Sequence, residues 1–253
     1  MYTILIPLWR DPVFAATKPF LTVAGTVLLA GILRNLPVRH ARILIAGQEE
    51  HALQLRHFYQ QAKGPWESLY YYFLPPETDE FSAVAHTAKR LIAEHGCGLE
   101  APLLISGIDQ WLDWSPQHFV EYCARSGADG IIPTFRGEKS PCSYVTVRPD
   151  GIITEVAGRR PISSEATCGP YWFAKAMHAY RAIDRLVAKE TTRDNYLAAI
   201  YNEMIEDGAH VLPYPIAYRW PLDTSSEMQT MAHDPHFIKM ESLLAETVAD
   251  AHG

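Results

Sequence analysis

The sequence predicts an α/β fold, a largely parallel sheet with helices on both faces. Three observations predict it. Short apolar runs of strand length recur through the first half, each followed by a stretch with helical spacing. The runs are apolar throughout instead of alternating, as strands buried on both faces require. The elements follow one another without long linkers or internal repeats, so the 253 residues make one unit.

Tyr2 to Leu8 is the first buried strand and ends at a Trp9-Arg10-Asp11-Pro12 loop. A helix follows from Val27 to Asn35. Arg42 to Ala46 is a second strand, stopped by Gly47, and Glu49 to Gln61 continues as a helix with Leu53, Leu55 and Phe58 on its inner face. Ser68 to Leu74 is an aromatic third strand closing on Pro75-Pro76; the Tyr70-Tyr71-Tyr72 run reads as strand packing, since no basic residues interleave it. Phe81 to Glu94 forms an amphipathic helix with Thr78 or Asp79 as its cap. Pro102 to Ser106 is a fourth strand running into Gly107-Ile108-Asp109-Gln110. Ligands of such sheets bind beyond the carboxyl ends of the strands. That rule singles out the loop after Leu8, the loop after Leu74 and the turn at Asp109.

The second half reads differently. Ile131 to Phe135, Tyr144 to Arg148 and Ile152 to Ala157 are short strands, the last two joined in a hairpin by Pro149-Asp150-Gly151. Helices return at Tyr171 to Lys189 and Asn195 to Asp207. His210 to Ile216 and Tyr218 to Leu222 are extended, His233-Asp234-Pro235-His236 is a solvated turn, and Ser242 to Ala251 lies in a closing helix.

The net charge of -7, with no long Lys/Arg run, leaves no basic track for a nucleic-acid backbone. No stretch reaches the roughly 18 to 20 apolar residues that span a bilayer, and the first apolar run is short for a secretory leader. A cytoplasmic address without nucleic-acid or membrane partners is the expectation. Cys97, Cys123, Cys142 and Cys168 form no C-x-x-C pair and read as reduced, partly buried apolar residues.

Several segments, in order, carry a family resemblance. Leu103-Leu104-Ile105-Ser106-Gly107-Ile108-Asp109-Gln110, then Tyr144-Val145-Thr146-Val147 with Asp150-Gly151, resembles the central region of sugar-phosphate nucleotidyltransferases, the nucleoside-diphosphate-sugar pyrophosphorylases. Glu155 to Ser163 followed by Ala166 to Phe173 is similar to that family's E-K-K-P-I-S and A-T-x-G-x-Y-x-F stretches. Tyr201-Asn202-Glu203-Met204-Ile205 is similar to its Y-N-E-L-I, and Trp220-Pro221-Leu222-Asp223-Thr224 to its W-L-D-T-G. The likeness runs from about residue 2 to residue 232.

The resemblance implies a Rossmann-like nucleotide-binding half over about 1–115, a mixed-sheet acceptor half over about 116–235 and a C-terminal helix over about 236–253. It implies transfer of a nucleoside monophosphate from a nucleoside triphosphate to a sugar 1-phosphate or similar small phosphate, with Mg²⁺ as cofactor. Asp109 and Asp223 are the implied metal ligands, a carboxylate pair that suits an ion taking one or two protein oxygens beside substrate phosphates. Lys18 and Arg159 are the implied catalytic cations, and Pro7, Leu8, Ser106 and Gly107 the implied nucleotide site; Arg10, as a side-chain clamp, and Thr78, as a hydrogen-bonding group for base or ribose, are expected to serve where the loops differ from the family. Tyr144, Glu155, Gly169, Asn202 and Glu203 are the implied acceptor site. A homo-oligomer is a further expectation.

The chain departs from the family pattern at three places. The glycine-rich turn is replaced by Trp9-Arg10-Asp11-Pro12-Val13-Phe14-Ala15-Ala16, which lacks the glycines that let successive N–H groups face one phosphate. Glu77-Thr78-Asp79-Glu80 brings three carboxylates to the loop after the third strand. Gly158 stands where the family has a glutamate that contacts sugar hydroxyls. The alternatives are a glycosyltransferase using a nucleotide-sugar, which has less need of a triphosphate cradle, and a non-catalytic nucleotide- or sugar-binding descendant.

Overall fold

Thr3–Pro7 forms a strand with neighbours on both edges in the computed structural model, which describes residues 1–8, 14, 17–74, 98–137, 142–189 and 196–250. In chain order the elements are β1 (Thr3–Pro7), β2 (Thr22–Val23), β3 (Thr26–Val27), α1 (Leu28–Asn35), β4 (Arg42–Gly47), α2 (Ala52–Gln61), β5 (Ser68–Phe73), β6 (Leu103–Ile105), β7 (Gln110–Asp113), α3 (Pro116–Ser126) and β8 (Gly130–Arg136). There follow β9 (Tyr144–Val147), β10 (Ile153–Ala157), β11 (Glu165–Thr167), β12 (Tyr171–Phe173), α4 (Ala176–Ala188), α5 (Ile200–Glu206), β13 (Val211–Pro215), β14 (Tyr218–Pro221), α6 (Ser225–His233) and α7 (Pro235–Asp250).

The first half is parallel: β5, β4, β1 and β6 lie side by side in that order. Ile4, Leu5 and Ile6 are fully buried because β1 has neighbours on both edges and a hydrophobic layer on each face. One layer includes Leu28, Leu29, Ile32 and Leu33 of α1, whose spacing makes one stripe. The opposite layer includes Ala179, Ala182 and Ile183 of α4 with Ile200, Tyr201 and Met204 of α5.

The second half joins antiparallel through β12, which pairs with β6 on one side and β8 on the other. The sheet is therefore mixed. β8 holds β13 along one edge; along the other it meets β12 at Gly130 and Ile131 and β11 at Thr134 to Arg136. The sheet thus forks at Cys168-Gly169-Pro170, where the Gly169–Pro170 peptide is cis. β9 and β10 extend the branch beyond β11 through the predicted hairpin.

A separate two-stranded ladder, β7 with β14, lies over the carboxyl end of β6. Trp111 stands opposite Trp220, both nearly inaccessible, and Phe237 of α7 packs edge-on to each. Asn35, at the end of α1, holds the other edge of β7. Its side-chain amide donates to the Leu112 carbonyl and its Oδ1 accepts the Leu112 N–H, both at 2.9 Å. A buried side chain thus replaces a strand partner, leaving neither backbone group stranded.

Several expectations change. Leu53 is 76% exposed while Leu55 is buried, because two residues on a helix point about 200° apart. Tyr171 to Phe173 is a strand, not the start of a helix; two flanking strands supply ladder bonds that outweigh local preference. Gln110–Asp113 is a strand and Pro116–Ser126 a helix capped by Ser115, which accepts the His118 N–H, and ended by Gly127 at φ 67°. The closing helix, α7, begins at Pro235, earlier than Ser242, and is preceded by a separate helix over Ser225–His233. His233-Asp234-Pro235-His236 is the junction of α6 and α7: Asp234 accepts from the Trp220 indole and the His236 N–H, each at 2.8 Å. Cys123 and Cys168 are buried and Cys142 partly so, all as free thiols. The predicted Phe81–Glu94 helix and Cys97 lie outside the described residues.

Asn35→Ala removes both bonds to Leu112 and leaves two backbone groups unsatisfied. It is expected to lower the unfolding free energy by about 2 to 6 kcal/mol, at roughly 1–3 kcal/mol per stranded buried group. Urea denaturation measures it; a loss under about 0.5 kcal/mol would mean that β7 needs no such clip.

Candidate active site

The carboxyl ends of β1 and β6 lie side by side and bring the expected loops together. Pro7 and Leu8 are buried, and the Leu8 N–H donates to the Ala46 carbonyl at 2.6 Å. Ser106 is buried, with its N–H bound to the Leu5 carbonyl at 2.9 Å and its hydroxyl donating to the Gly107 carbonyl at 3.1 Å. Asp109 follows within one turn and is half-buried.

The β7–β14 ladder carries Asp223 to the same place. Pro221 pairs with Gln110, and the Leu222 N–H donates to the Asp109 carbonyl at 2.7 Å, so the two aspartates flank the end of one ladder. Leu222 is fully buried, while the Asp223 side chain beyond it is half-buried. Burial of the carboxyl and the Asp109 charge both push the Asp223 pKa upward, against the pull of Lys18. Like charges at one ladder end repel, and a cation between them relieves that repulsion.

Lys18 supplies one. It sits on the 3-10 turn Lys18–Phe20, is 4% exposed, and places Nζ 3.5 Å from Asp223 Oδ1. His51 at the end of β4 supplies none. Its Nδ1 accepts the Gln48 N–H at 3.0 Å, and burial depresses its pKa, leaving the ring neutral.

Gly169, at the fork, is tied to this cluster through Gln110, whose Nε2 donates to the Gly169 carbonyl at 3.0 Å. Gln110 Oε1 in turn accepts from Arg219 Nη1 at 3.3 Å. Neither Gln110 nor Arg219 figured among the expected site residues. Gln110 lay within a quoted segment, and Arg219 within a strand whose alternation marks it only as facing away from Trp220.

The remaining expected residues among those described lie in the second half of the chain and make local contacts there. Tyr144 is almost fully buried in β9. Glu155 is exposed on β10 and pairs with Arg160 at 3.1 Å, while Arg159 is exposed at a left-handed φ of 50°. Asn202 clasps the Val156 backbone, accepting its N–H and donating to its carbonyl, both at 2.8 Å. Glu203 is 3% exposed and binds Lys189 Nζ at 2.5 Å. Arg10 and Thr78 lie outside the described residues.

Gly158 has a physical explanation. A Cβ there would meet the Tyr196 ring at 2.3 Å, and the Tyr196 hydroxyl donates to the Val156 carbonyl at 3.1 Å. The tyrosine fills the space that a side chain at 158 would need.

No family model matches the chain, and no curated protein matches it. Solved structures do. A nucleoside-diphosphate-sugar pyrophosphorylase from Vibrio cholerae RC9 superimposes with a TM-score of 0.74 at 18% identity, covering 91% of this chain and 100% of that one. A Bacillus anthracis protein described as a glucose-1-phosphate thymidylyltransferase, solved with sucrose, gives 0.69 at 14%, covering 92% and 96%. A UDP-glucose pyrophosphorylase from Acinetobacter baumannii gives 0.66 at 12%, covering 97% and 99%. The chain therefore has the nucleotidyltransferase-type fold, over almost its whole length.

Gly158→Ala is expected to destabilise the protein by about 1–3 kcal/mol, the usual cost of overpacking. In a double-mutant cycle with Tyr196→Ala the second change should cancel most of that loss. Strict additivity of the two unfolding free energies would show that the ring is not what excludes the side chain.

Proposed function

We propose that the chain is a nucleotidyltransferase that joins the nucleoside monophosphate unit of a nucleoside triphosphate to a sugar 1-phosphate or similar small phosphate. The observation that carries this reading is the convergence of Asp109 and Asp223 at the carboxyl end of β6, with buried Lys18 3.5 Å from Asp223. The fold shared with the pyrophosphorylases supports it.

In this reaction an acceptor phosphate oxygen forms a bond to the α-phosphorus while the bond from that phosphorus to the β-bridging oxygen breaks. Pyrophosphate departs with that electron pair. Nothing is oxidised or reduced, so the protein's task is to align two anions and offset their charge. Asp109 and Asp223 fit Mg²⁺ as a hard, all-oxygen pair; among the described residues no group of three or more His, Cys, Asp or Glu side chains converges as zinc would require. When bound, such an ion supplies Lewis-acid neutralisation of phosphate charge. Lys18 sits beside Asp223 with its charge shielded from water, where it can approach the nucleotide phosphates as a compact cation. Pro7, Leu8, Ser106 and Gly107 form the strand ends over which the nucleoside lies, and Arg159 approaches the acceptor phosphate.

A second reading is favoured by one observation, the absence of glycine from residues 9–16. A nucleotide-sugar offers a diphosphate and asks less of that loop, so a glycosyltransferase would show a larger thermal shift with a nucleoside diphosphate-sugar than with the matching triphosphate.

Pyrophosphate release should appear for at least one pairing of the common nucleoside triphosphates with a panel of sugar 1-phosphates in Mg²⁺. Asp109→Asn should lower kcat on the order of 10²- to 10³-fold, in the range of losing one transition-state charge contact, with the melting temperature nearly unchanged. Silence across the whole panel, or an Asp109→Asn variant of full activity, would sink the proposal.

A further inference from the structure

Resting on the nucleotidyltransferase reading, we infer that Arg219 binds an oxyanion of the acceptor substrate, so that acceptor recognition here is by charge. The first support is position. Arg219 lies on β14, in the ladder that unites Asp109 and Asp223, and its guanidinium binds Gln110, the residue next to Asp109. The second is orientation. The guanidinium stands over the Phe135 ring, 5.2 Å from its centroid, while Nη1 bonds Gln110 Oε1, and Gln110 is itself fixed by the Gly169 carbonyl. A ring contact on its face and an amide on its edge hold the group in one plane, and a held guanidinium presents its donors in the fork geometry that suits carboxylate and phosphate oxygens.

The third support is electrostatic and locates the group relative to the aspartates. Burial pushes the Cys168 thiol pKa up; the Arg219 charge opposes that rise and the Asp109 charge adds to it. One buried sulfur at the fork therefore senses both. The guanidinium is held at Phe135 and, through Gln110, at Gly169, on the mixed-sheet half, whereas Lys18 meets Asp223 from the turn Lys18–Phe20. The oxyanion is either the phosphate of the acceptor or a carboxylate elsewhere on it.

The test compares wild type with Arg219→Gln and Arg219→Lys by steady-state pyrophosphate release. A parallel calorimetric titration uses a hexose 1-phosphate and a hexuronic acid 1-phosphate without nucleotide. Arg219→Gln should raise the acceptor KM on the order of tenfold, as expected for loss of one charged hydrogen bond, while the nucleotide KM stays within about twofold. Arg219→Lys should recover part of the loss, which a purely packing role would not predict. An equal loss with both acceptors assigns the oxyanion to the phosphate; a loss confined to the uronic acid assigns it to the carboxylate. An unchanged acceptor KM, or an equal rise for the nucleotide, overturns the inference. Absence of turnover in wild type counts against the functional reading alone, and the titration then decides: weaker acceptor binding by the Gln variant upholds Arg219. Equal binding by wild type and variant, or no binding of either acceptor by wild type, overturns it. Should Arg219→Gln not fold, the Lys variant supports the same comparison, with a smaller rise in acceptor KM expected and no rise contradicting it.

Discussion

The pairing of β7 with β14 is the contact on which the candidate site depends. Asp109 and Asp223 come from distant parts of the sequence, and Leu222 bonding to the Asp109 carbonyl at 2.7 Å fixes their spacing at the end of a two-stranded ladder. Such a ladder is marginal by itself. It persists because Trp111, Trp220 and Phe237 pack edge to face on its inner side, and because Asn35 acts as a third strand on its outer edge. Apolar burial beneath the ladder sustains the proximity of two carboxylates that would otherwise separate, and Lys18 offsets part of their repulsion.

The polar groups around that pair divide between the two halves of the sheet. Lys18 meets Asp223 from the turn Lys18–Phe20, while Gln110, Arg219 and Gly169 form a line running back to the fork. The fork is what lets antiparallel strands reach a site formed at the ends of parallel ones. β12 pairs with β6, carrying the carbonyl of Gly169 to Gln110. In a protein of net charge -7 these cations are a local feature of the site.

The parallel half was legible because β1, β4 and β6 are buried on both faces, and a run such as Ile4-Leu5-Ile6 has no other stable setting in water. β12 was not, since Tyr171-Trp172-Phe173 is extended only through its two neighbours, and β7 was hidden because Gln110 and Asp113 break its apolar run. Asp109 stood out by its place after a buried strand, whereas Asp223 was reached only through family resemblance. Arg219 and Tyr196 left no local signal, as their roles arise from a strand pairing and a ring contact between residues far apart in sequence.

Titration with Mn²⁺, followed by electron paramagnetic resonance of the free ion, tests most directly whether Asp109 and Asp223 hold one cation between them. The predicted result is one ion per chain, lost on Asp109→Asn and lost equally on Asp223→Asn, with the double variant no weaker than either single one. Losses that add independently, or tight binding that survives both substitutions, would contradict a shared site.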